Sequence, residues 1–301
     1  MSAQVKLDDT LETGLAKEER RGLSREWRAF WRNPLAISGV AILAFLVLFS
    51  WLGPVFYHTP PEFPDVNNIL SPPIPLHPLG TDGVGADVLS QLMWGGQLSL
   101  EVGLAAAVVG SVIGAIYGLV SAETGGWLDT ILMRFVDITL AIPAIYLLVV
   151  IDSILNPNPV AMIFIISITS WQGIARIVRG QVLSLRTQDF VEAARAEGAG
   201  TWRILMRHYL PNVMGPIIVY TTFSVGGAIL TVSGLSYLGL GLPPNDPNWG
   251  LSLSNGVAYM FQNAWWLIYP PGLMIVLSML GTNFLGDAFN AAFDPRLRGR
   301  G

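Results

Sequence analysis

Residues Asp189-Phe190-Val191-Glu192-Ala193-Ala194-Arg195-Ala196-Glu197-Gly198, with Leu210-Pro211 following, form the most informative stretch of this sequence. Asp189 is a residue type that caps helices, and Glu192 stands three positions later in capping-box spacing. Gly198 and Gly200 then predict the end of this helix, because glycine accepts left-handed dihedrals that other residues resist. The stretch therefore predicts a short polar helix that ends at a glycine joint.

A second short helix is predicted beyond the joint. Thr201 is placed to cap it, and Pro211 predicts that the chain restarts there, because proline lacks the N–H that a helix interior needs. Apolar and small residues at helical spacing give both helices a face that can pack closely on a neighbour: Phe190, Ala193, Ala194, Ile204 and Leu205. Both helices are polar elements that belong in water rather than in a bilayer.

The rest of the chain has the composition of a membrane protein, since 52% of its residues are hydrophobic and only 13% are charged. Apolar segments long enough to cross a bilayer are found at 35–56, 98–120, 128–151, 160–178, 211–242 and 263–288. Pro143 is expected to kink the third of them. The sequence therefore predicts an all-α integral membrane protein with six transmembrane helices.

The basic residues predict the orientation of these helices. All 17 Lys and Arg residues lie in the N-terminal tail, near the inner end of the third span, around 176–207 or at the C-terminus. The segments 58–97, 152–159 and 243–262 contain none. Because cytoplasmic loops are enriched in Lys and Arg, both termini and the 189–211 segment are expected in the cytosol.

Several catalytic and cofactor-binding classes are excluded by residue type. The only lysines are Lys6 and Lys17, and neither follows a glycine, so no nucleotide-binding P-loop is present. The chain has no cysteine, and its three histidines are scattered outside the spans, which argues against a metal site. The basic residues form no patch suited to nucleic acid. We therefore expect no catalytic residue, no metal and no cofactor in this chain.

Glu-Ala-Ala at 192–194, Gly198 and Leu210-Pro211 together resemble the coupling loop of permease subunits in binding-protein-dependent ABC importers. The resemblance implies the six-helix type I (MetI-like) fold and a loop that docks into a cytosolic ATPase. The implied docking residues are Asp189, Glu192, Ala193, Ala194, Gly198, Leu210 and Pro211. His208 stands where the general pattern has an isoleucine, a variant that resembles the peptide-transport branch. Residues 189–211 are called the coupling segment below.

Other stretches resemble dipeptide, oligopeptide and nickel permeases of the second, C-type kind: residues 77–90, 171–183, 235–241, 249–250, 283–287 and 294–298. The chain departs from the family at Ala86 and Gln91, where arginines are usual. The implied partners are a different permease subunit in a heterodimer, two ATPases that bind ATP and Mg, an extracellular binding protein and the bilayer. No nucleic-acid partner is implied.

The predicted organisation has four parts. They are a cytosolic tail at 1–33, a first span with an external segment at 34–96, the permease core at 97–288, and a cytosolic tail at 289–301. The function implied is a non-catalytic transport subunit for di- and oligopeptides. Nickel or another small solute, an ATPase-independent secondary transporter, and a membrane scaffold remain as alternatives.

Three features within and beside the spans each have two interpretations. Gly110, Gly114 and Gly118 form a stripe for helix contact, either inside this subunit, which we favour, or with a second permease. Glu101, near the outer end of the second span, either faces the translocation path or is a solvated helix end. The external segment carries seven of the chain's 20 prolines between Pro60 and Pro78, which predicts extended backbone. It either receives the binding protein or covers the bundle.

Overall fold

The computed structural model describes residues 30–59, 63–155, 158–243 and 245–293. Most of the predicted N-terminal tail and residues 294–301 lie outside the described residues. The helices are α1 (Pro34–Phe56), α2 (Val88–Thr124), α3 (Gly126–Ala141), α4 (Ala144–Leu155), α5 (Pro159–Leu185), α6 (Asp189–Ala196), α7 (Thr201–Ile204), α8 (Leu210–Tyr237), α9 (Trp249–Val257) and α10 (Tyr269–Phe293). A π-helical turn covers Leu205–Tyr209, and 3-10 turns cover Met260–Gln262 and Trp265–Leu267. The predicted all-α class is confirmed.

Each of the six predicted spans corresponds to helix in the structure. Within the described residues, five helical segments are long and apolar enough to cross a membrane singly, and α3 with α4 forms a sixth that is bent by 80°. The bend lies at Ile142-Pro143, as the proline predicts, because proline cannot continue the hydrogen-bond ladder. The second span is longer than predicted, since α2 begins at Val88, where Asp87 accepts a hydrogen bond from the Ser90 N–H at 2.7 Å.

The glycine stripe of α2 packs inside this subunit, as favoured from the sequence. A Cβ on Gly110 would lie 2.5 Å from the Ser170 hydroxyl oxygen, and one on Gly118 would lie 2.5 Å from the Ala175 carbonyl oxygen. Both contacts are with α5. The absence of side chains lets the two backbones approach closely, so that van der Waals packing holds the helices together in lipid. The α2–α5 pair is therefore the rigid centre of the bundle.

Substituting Gly114 by leucine is expected to destabilise this pair by at least about 2 kcal/mol, because overpacking forces the helices apart. A Cβ at this position would lie only 2.2 Å from the Trp171 carbonyl oxygen. Thermal unfolding of the purified protein in detergent measures the effect. Gly180→Leu is the matched control, since a Cβ added at Gly180 of α5 would meet no described atom within 4 Å. Equal midpoints for the two variants would contradict the packing account.

The external segment is non-helical in its described parts, but it is folded by turns rather than extended as predicted. The buried His77 ring lies between two carboxylates, with Nδ1 2.8 Å from Asp87 Oδ2 and Nε2 3.5 Å from Asp65 Oδ2. The Tyr57 hydroxyl donates to the same Asp87 oxygen at 2.8 Å. Burial, reinforced by the Asp87 carboxylate, raises the pKa of Tyr57 to about 12, so this donor stays protonated at physiological pH. Proline restricts the backbone dihedrals of single residues, whereas these hydrogen bonds connect residues that are distant in the chain and hold the turns of the segment together.

Candidate coupling surface and membrane cavities

The first half of the coupling segment is a short helix closed by a glycine. The Ala199 N–H bonds to the Ala194 carbonyl and the Gly198 N–H to the Arg195 carbonyl, both at 3.0 Å, which is a Schellman motif. Gly198 has φ +83°, as predicted for the joint. Gly200 does not end this helix, because its φ is −68° and it stands at the N-cap position of α7.

The two predicted side-chain caps are wrong by one residue each. The N-cap position of α6 is Gln188, whose carbonyl accepts from Val191 and Glu192, so Asp189 lies in the first turn. Thr201 is likewise inside α7, and neither helix has a side-chain cap bond. The carboxylate of Asp189 still stands at the positive end of the helix, where it is electrostatically favourable.

The predicted restart at Pro211 is also wrong, because α7 runs through the π turn into α8 as one continuous helical segment, Thr201–Tyr237. The Leu210 N–H reaches back five residues to the Leu205 carbonyl. This wider turn accommodates the proline, whose ring would otherwise meet a carbonyl of the preceding turn. The Asn212 side chain donates to the His208 carbonyl at 2.6 Å. Half of the coupling segment is therefore a direct extension of a membrane-spanning helix.

The coupling segment has an inner and an outer face. The side chains of Val191, Ala194, Ile204 and Tyr209 are buried against the inner ends of α2 and α5. The outer face exposes Asp189, Glu192 and Ala193. It also exposes Phe190 (43%) and Trp202 (70%), large apolar groups in an otherwise polar surface. Leu210 is half-buried and Pro211 is exposed. Of the two alanines of the motif, Ala194 is buried against the helix bundle and Ala193 is exposed on the outer face.

An ionic cluster that the sequence did not predict ties α6 to α2. Arg195 Nη2 lies 3.0 Å from Glu123 Oε2, near the end of α2. The Tyr209 hydroxyl oxygen is 3.2 Å from the same carboxylate oxygen and 3.1 Å from Arg195 Nη2. Arg186 adds a bond to the Ala122 carbonyl at 3.0 Å. One carboxylate thus joins α2, α6 and the π turn before α8.

Two further ion pairs join α3 to α5 at the same end of the bundle. Arg179 holds Asp129 through two bonds, Nε–Oδ1 at 2.7 Å and Nη2–Oδ2 at 2.6 Å. Arg176 Nη2 lies 2.5 Å from Asp137 Oδ1, and Arg134 Nη1, from the same helix as Asp137, lies 3.7 Å from Asp137 Oδ2. Bidentate arginine–carboxylate geometry fixes orientation as well as distance. Ion pairs therefore link α2 to α6 and α3 to α5, in addition to the packing of the coupling segment on α2 and α5.

Glu101 lies on the wall of a cavity of about 590 Å³ between α1, α2, α8 and α10. It is exposed in the chain and is the one charged residue among those that line this cavity. The remaining walls are aliphatic and aromatic, apart from Thr221, Thr222 and Thr282. A carboxylate facing an otherwise apolar cavity is typical of a functional position in a membrane protein.

A second cavity, of about 710 Å³, lies between the inner ends of α5, α8 and α10. Its polar lining residues are Gln181, Asn212, Tyr220 and Asn290, and none of the lining residues that the structure describes is charged. We call it the inner cavity. No sequence pattern indicated it, because its polar residues come from three helices that are far apart in the chain.

Two family descriptions match this sequence. The pattern of the family described as "Binding-protein-dependent transport system inner membrane component" matches residues 88–299. That of the "N-terminal TM domain of oligopeptide transport permease C" matches residues 23–73. The first match includes the coupling segment, the inner cavity and the ionic cluster.

Curated relatives are similar over nearly the full chain. The dipeptide transport system permease protein DppC of Bacillus subtilis is 36% identical over 90% of this chain and 85% of its own length. The oligopeptide transport system permease protein OppC of Haemophilus influenzae is 38% identical over 90% and 88%. The di/tripeptide transport system permease protein DppC of Pseudomonas aeruginosa is 37% identical over 92% and 93%.

Proposed function

The chain belongs to the family of binding-protein-dependent transport system inner membrane components, and from this premise we propose that it is the C-type permease of an ATP-driven importer of di- and oligopeptides. The observation that carries the proposal is the coupling segment, which presents exposed aromatic and acidic residues on a surface continuous with α8. The names of the similar proteins, which are dipeptide and oligopeptide permeases, support the substrate class.

The outer face of the coupling segment would receive a cytosolic ATPase. Phe190 and Trp202 would fill apolar depressions of that partner, with Asp189, Glu192 and Ala193 around them. ATP and Mg would bind to two such ATPases, and this chain would hold no cofactor. When nucleotide binding draws the ATPases together, movement of the coupling segment would displace α8, which continues it. It would also displace α2, because Arg195 of the segment is paired with Glu123 of α2.

The other partners would meet different surfaces of the chain. A second, different permease would cover the apolar faces of α3 and α4, where Phe135, Ile138 and Tyr146 are exposed. An extracellular binding protein would deliver substrate at the external segment, opposite the cytosolic termini. Glu101 would face the translocation path between the two permeases.

Uptake in cells that lack this chain and then regain it tests the proposal. Labelled dipeptides and oligopeptides are supplied, with nickel in parallel, before and after ATP depletion. Restored peptide uptake that stops when ATP is depleted is the expected result. Restoration of nickel uptake alone would indicate that the substrate is nickel rather than peptide. Uptake that does not depend on ATP would favour a secondary transporter.

Replacing Glu192 by lysine is expected to weaken attachment of the ATPases about tenfold, because it reverses a charge on the exposed docking face. Titration of the purified ATPase onto the permease in detergent measures this. Glu192→Gln, which removes the charge without reversing it, should give an intermediate affinity. Undiminished binding of the lysine variant would count against a docking role for this residue.

A further inference from the structure

The inner cavity has a chemical character that matches the one feature all peptides share. Gln181 and Asn290 are exposed residues with side-chain amides, contributed to the lining by two different helices, α5 and α10. Asn212 and Tyr220 line the cavity from α8, where the Asn212 amide donates to the His208 carbonyl and the Tyr220 hydroxyl to the Ser170 carbonyl. An amide side chain both donates and accepts hydrogen bonds, as a peptide bond does. Phe223 and Phe293 supply apolar walls.

We propose that the inner cavity is a contact site for the backbone of the transported peptide, an inference that rests on the peptide-import function proposed above. Neutral amides bind backbone N–H and C=O groups irrespective of the side chains that those groups carry. Among the described residues, none that lines the cavity is charged, so these walls offer no ionic means of selecting a terminus or an acidic or basic side chain. Its volume of about 710 Å³ accommodates several residues of an extended chain.

Two glycines follow Tyr220 on the face of α8 that forms this cavity. Tyr220, Gly227 and Gly234 follow one another at seven-residue steps, which places them on one face and about 10 Å apart along the helix. A Cβ added at Gly227 or Gly234 would meet no atom within 4 Å in the described part of the chain. The two glycines therefore leave open space beside α8 at these two positions.

The position of the cavity also connects it to the ATPase surface. Asn212 directly follows Pro211, on the same continuous helix as the coupling segment. The facing walls belong to α5, which three residues separate from the segment, and to α10, which is distant from it in the chain. Movement of the segment would therefore shift the α8 wall relative to α10 and change the distance between Asn212 and Asn290. The site would bind substrate in one nucleotide state and release it in another.

The test uses the double variant Gln181→Ala, Asn290→Ala in the complete importer, reconstituted in proteoliposomes with saturating, substrate-loaded binding protein. The substrates are tetra-alanine and its analogue with a methyl group on one internal backbone nitrogen. In wild type the methylated peptide is expected to be imported about fivefold more slowly, the effect of one lost hydrogen bond. In the double variant the difference should shrink to below about twofold. Asn283→Ala, which removes an exposed amide of α10 outside the cavity, should keep the wild-type difference.

Each outcome separates this inference from the proposed function. If wild type imports both peptides, and the double variant shows the same difference in import rate between them as wild type, the backbone site is overturned. Peptide import itself would then stand. No import of either peptide by wild type would overturn both. Should the double variant fail to assemble, Val219→Trp fills the cavity without removing a hydrogen bond. It should slow tetra-alanine at least about fivefold more than di-alanine, and equal slowing would also overturn the site.

Discussion

Gly198→Val is expected to reduce transport at least tenfold while the permease still reaches the membrane in near-normal amounts. Gly198 has φ +83°, a left-handed conformation that costs a β-branched residue about 1–3 kcal/mol. The valine would therefore open the Schellman motif and redirect α6 relative to α7. Because the strain is confined to the surface of the coupling segment, the bundle should remain folded and the proposed docking face should be misplaced.

Gly200→Val is a closely matched control. Both glycines lie in the same turn, and neither has a described atom within 4 Å of an added Cβ, but Gly200 has φ −68°, which valine accepts. Peptide uptake and nucleotide-stimulated ATP hydrolysis are measured for both variants, with Gly198→Asn as an intermediate because asparagine tolerates the left-handed region. Wild-type transport by Gly198→Val would contradict the account of the joint.

Reversing the charge of Arg195 is expected to uncouple ATP hydrolysis from uptake. Arg195→Glu would place two carboxylates together at the end of α2, where Arg195 now lies 3.0 Å from Glu123. The side chain of Arg195 is about one-third exposed, so solvent screening limits the lost interaction to about 1 kcal/mol. The loss of transport should be larger than this interaction energy alone would cause, because α6 would no longer be linked to α2 when the ATPase moves.

The number of peptides imported per ATP hydrolysed measures this coupling. It should fall about tenfold or more in Arg195→Glu and recover partly in the double reversal with Glu123→Arg, which restores opposite charges. Tyr209→Phe removes only the hydroxyl from the cluster and should have a small effect. If the ratio in the single variant stayed at the wild-type value, the cluster would have no role in coupling.

The parts of the fold that depend on local sequence were predictable. Hydropathy predicted the six spans, Pro143 the bend between α3 and α4, and Gly198 the end of α6. The glycine stripe predicted close packing within the subunit. Each of these features arises from one residue or one helical period acting on its own neighbourhood.

The errors and omissions arise where tertiary context decides. Pro211 alone predicts a break in the helix, but the π turn before it widens the helix enough to accommodate the proline ring. Arg195 and Glu123 are 72 positions apart, and nothing in a single sequence pairs them. The inner cavity needs three helices to be placed before Gln181, Asn212 and Asn290 converge. The cap errors are smaller, since Gln188 and Gly200 start their helices through backbone carbonyls that no side-chain preference marks.

The most direct test of the central claim is thiol labelling of the coupling segment. The chain has no cysteine, so Ala193→Cys introduces a single thiol on the exposed docking face. A membrane-impermeant maleimide should label it in inside-out vesicles, and bound ATPase should protect it. Ala258→Cys, in the exposed loop after α9, should be labelled only from the opposite side and should not be protected. Labelling of Ala193→Cys that is unaffected by the ATPase would contradict docking at this segment, and labelling only in right-side-out vesicles would contradict the proposed orientation.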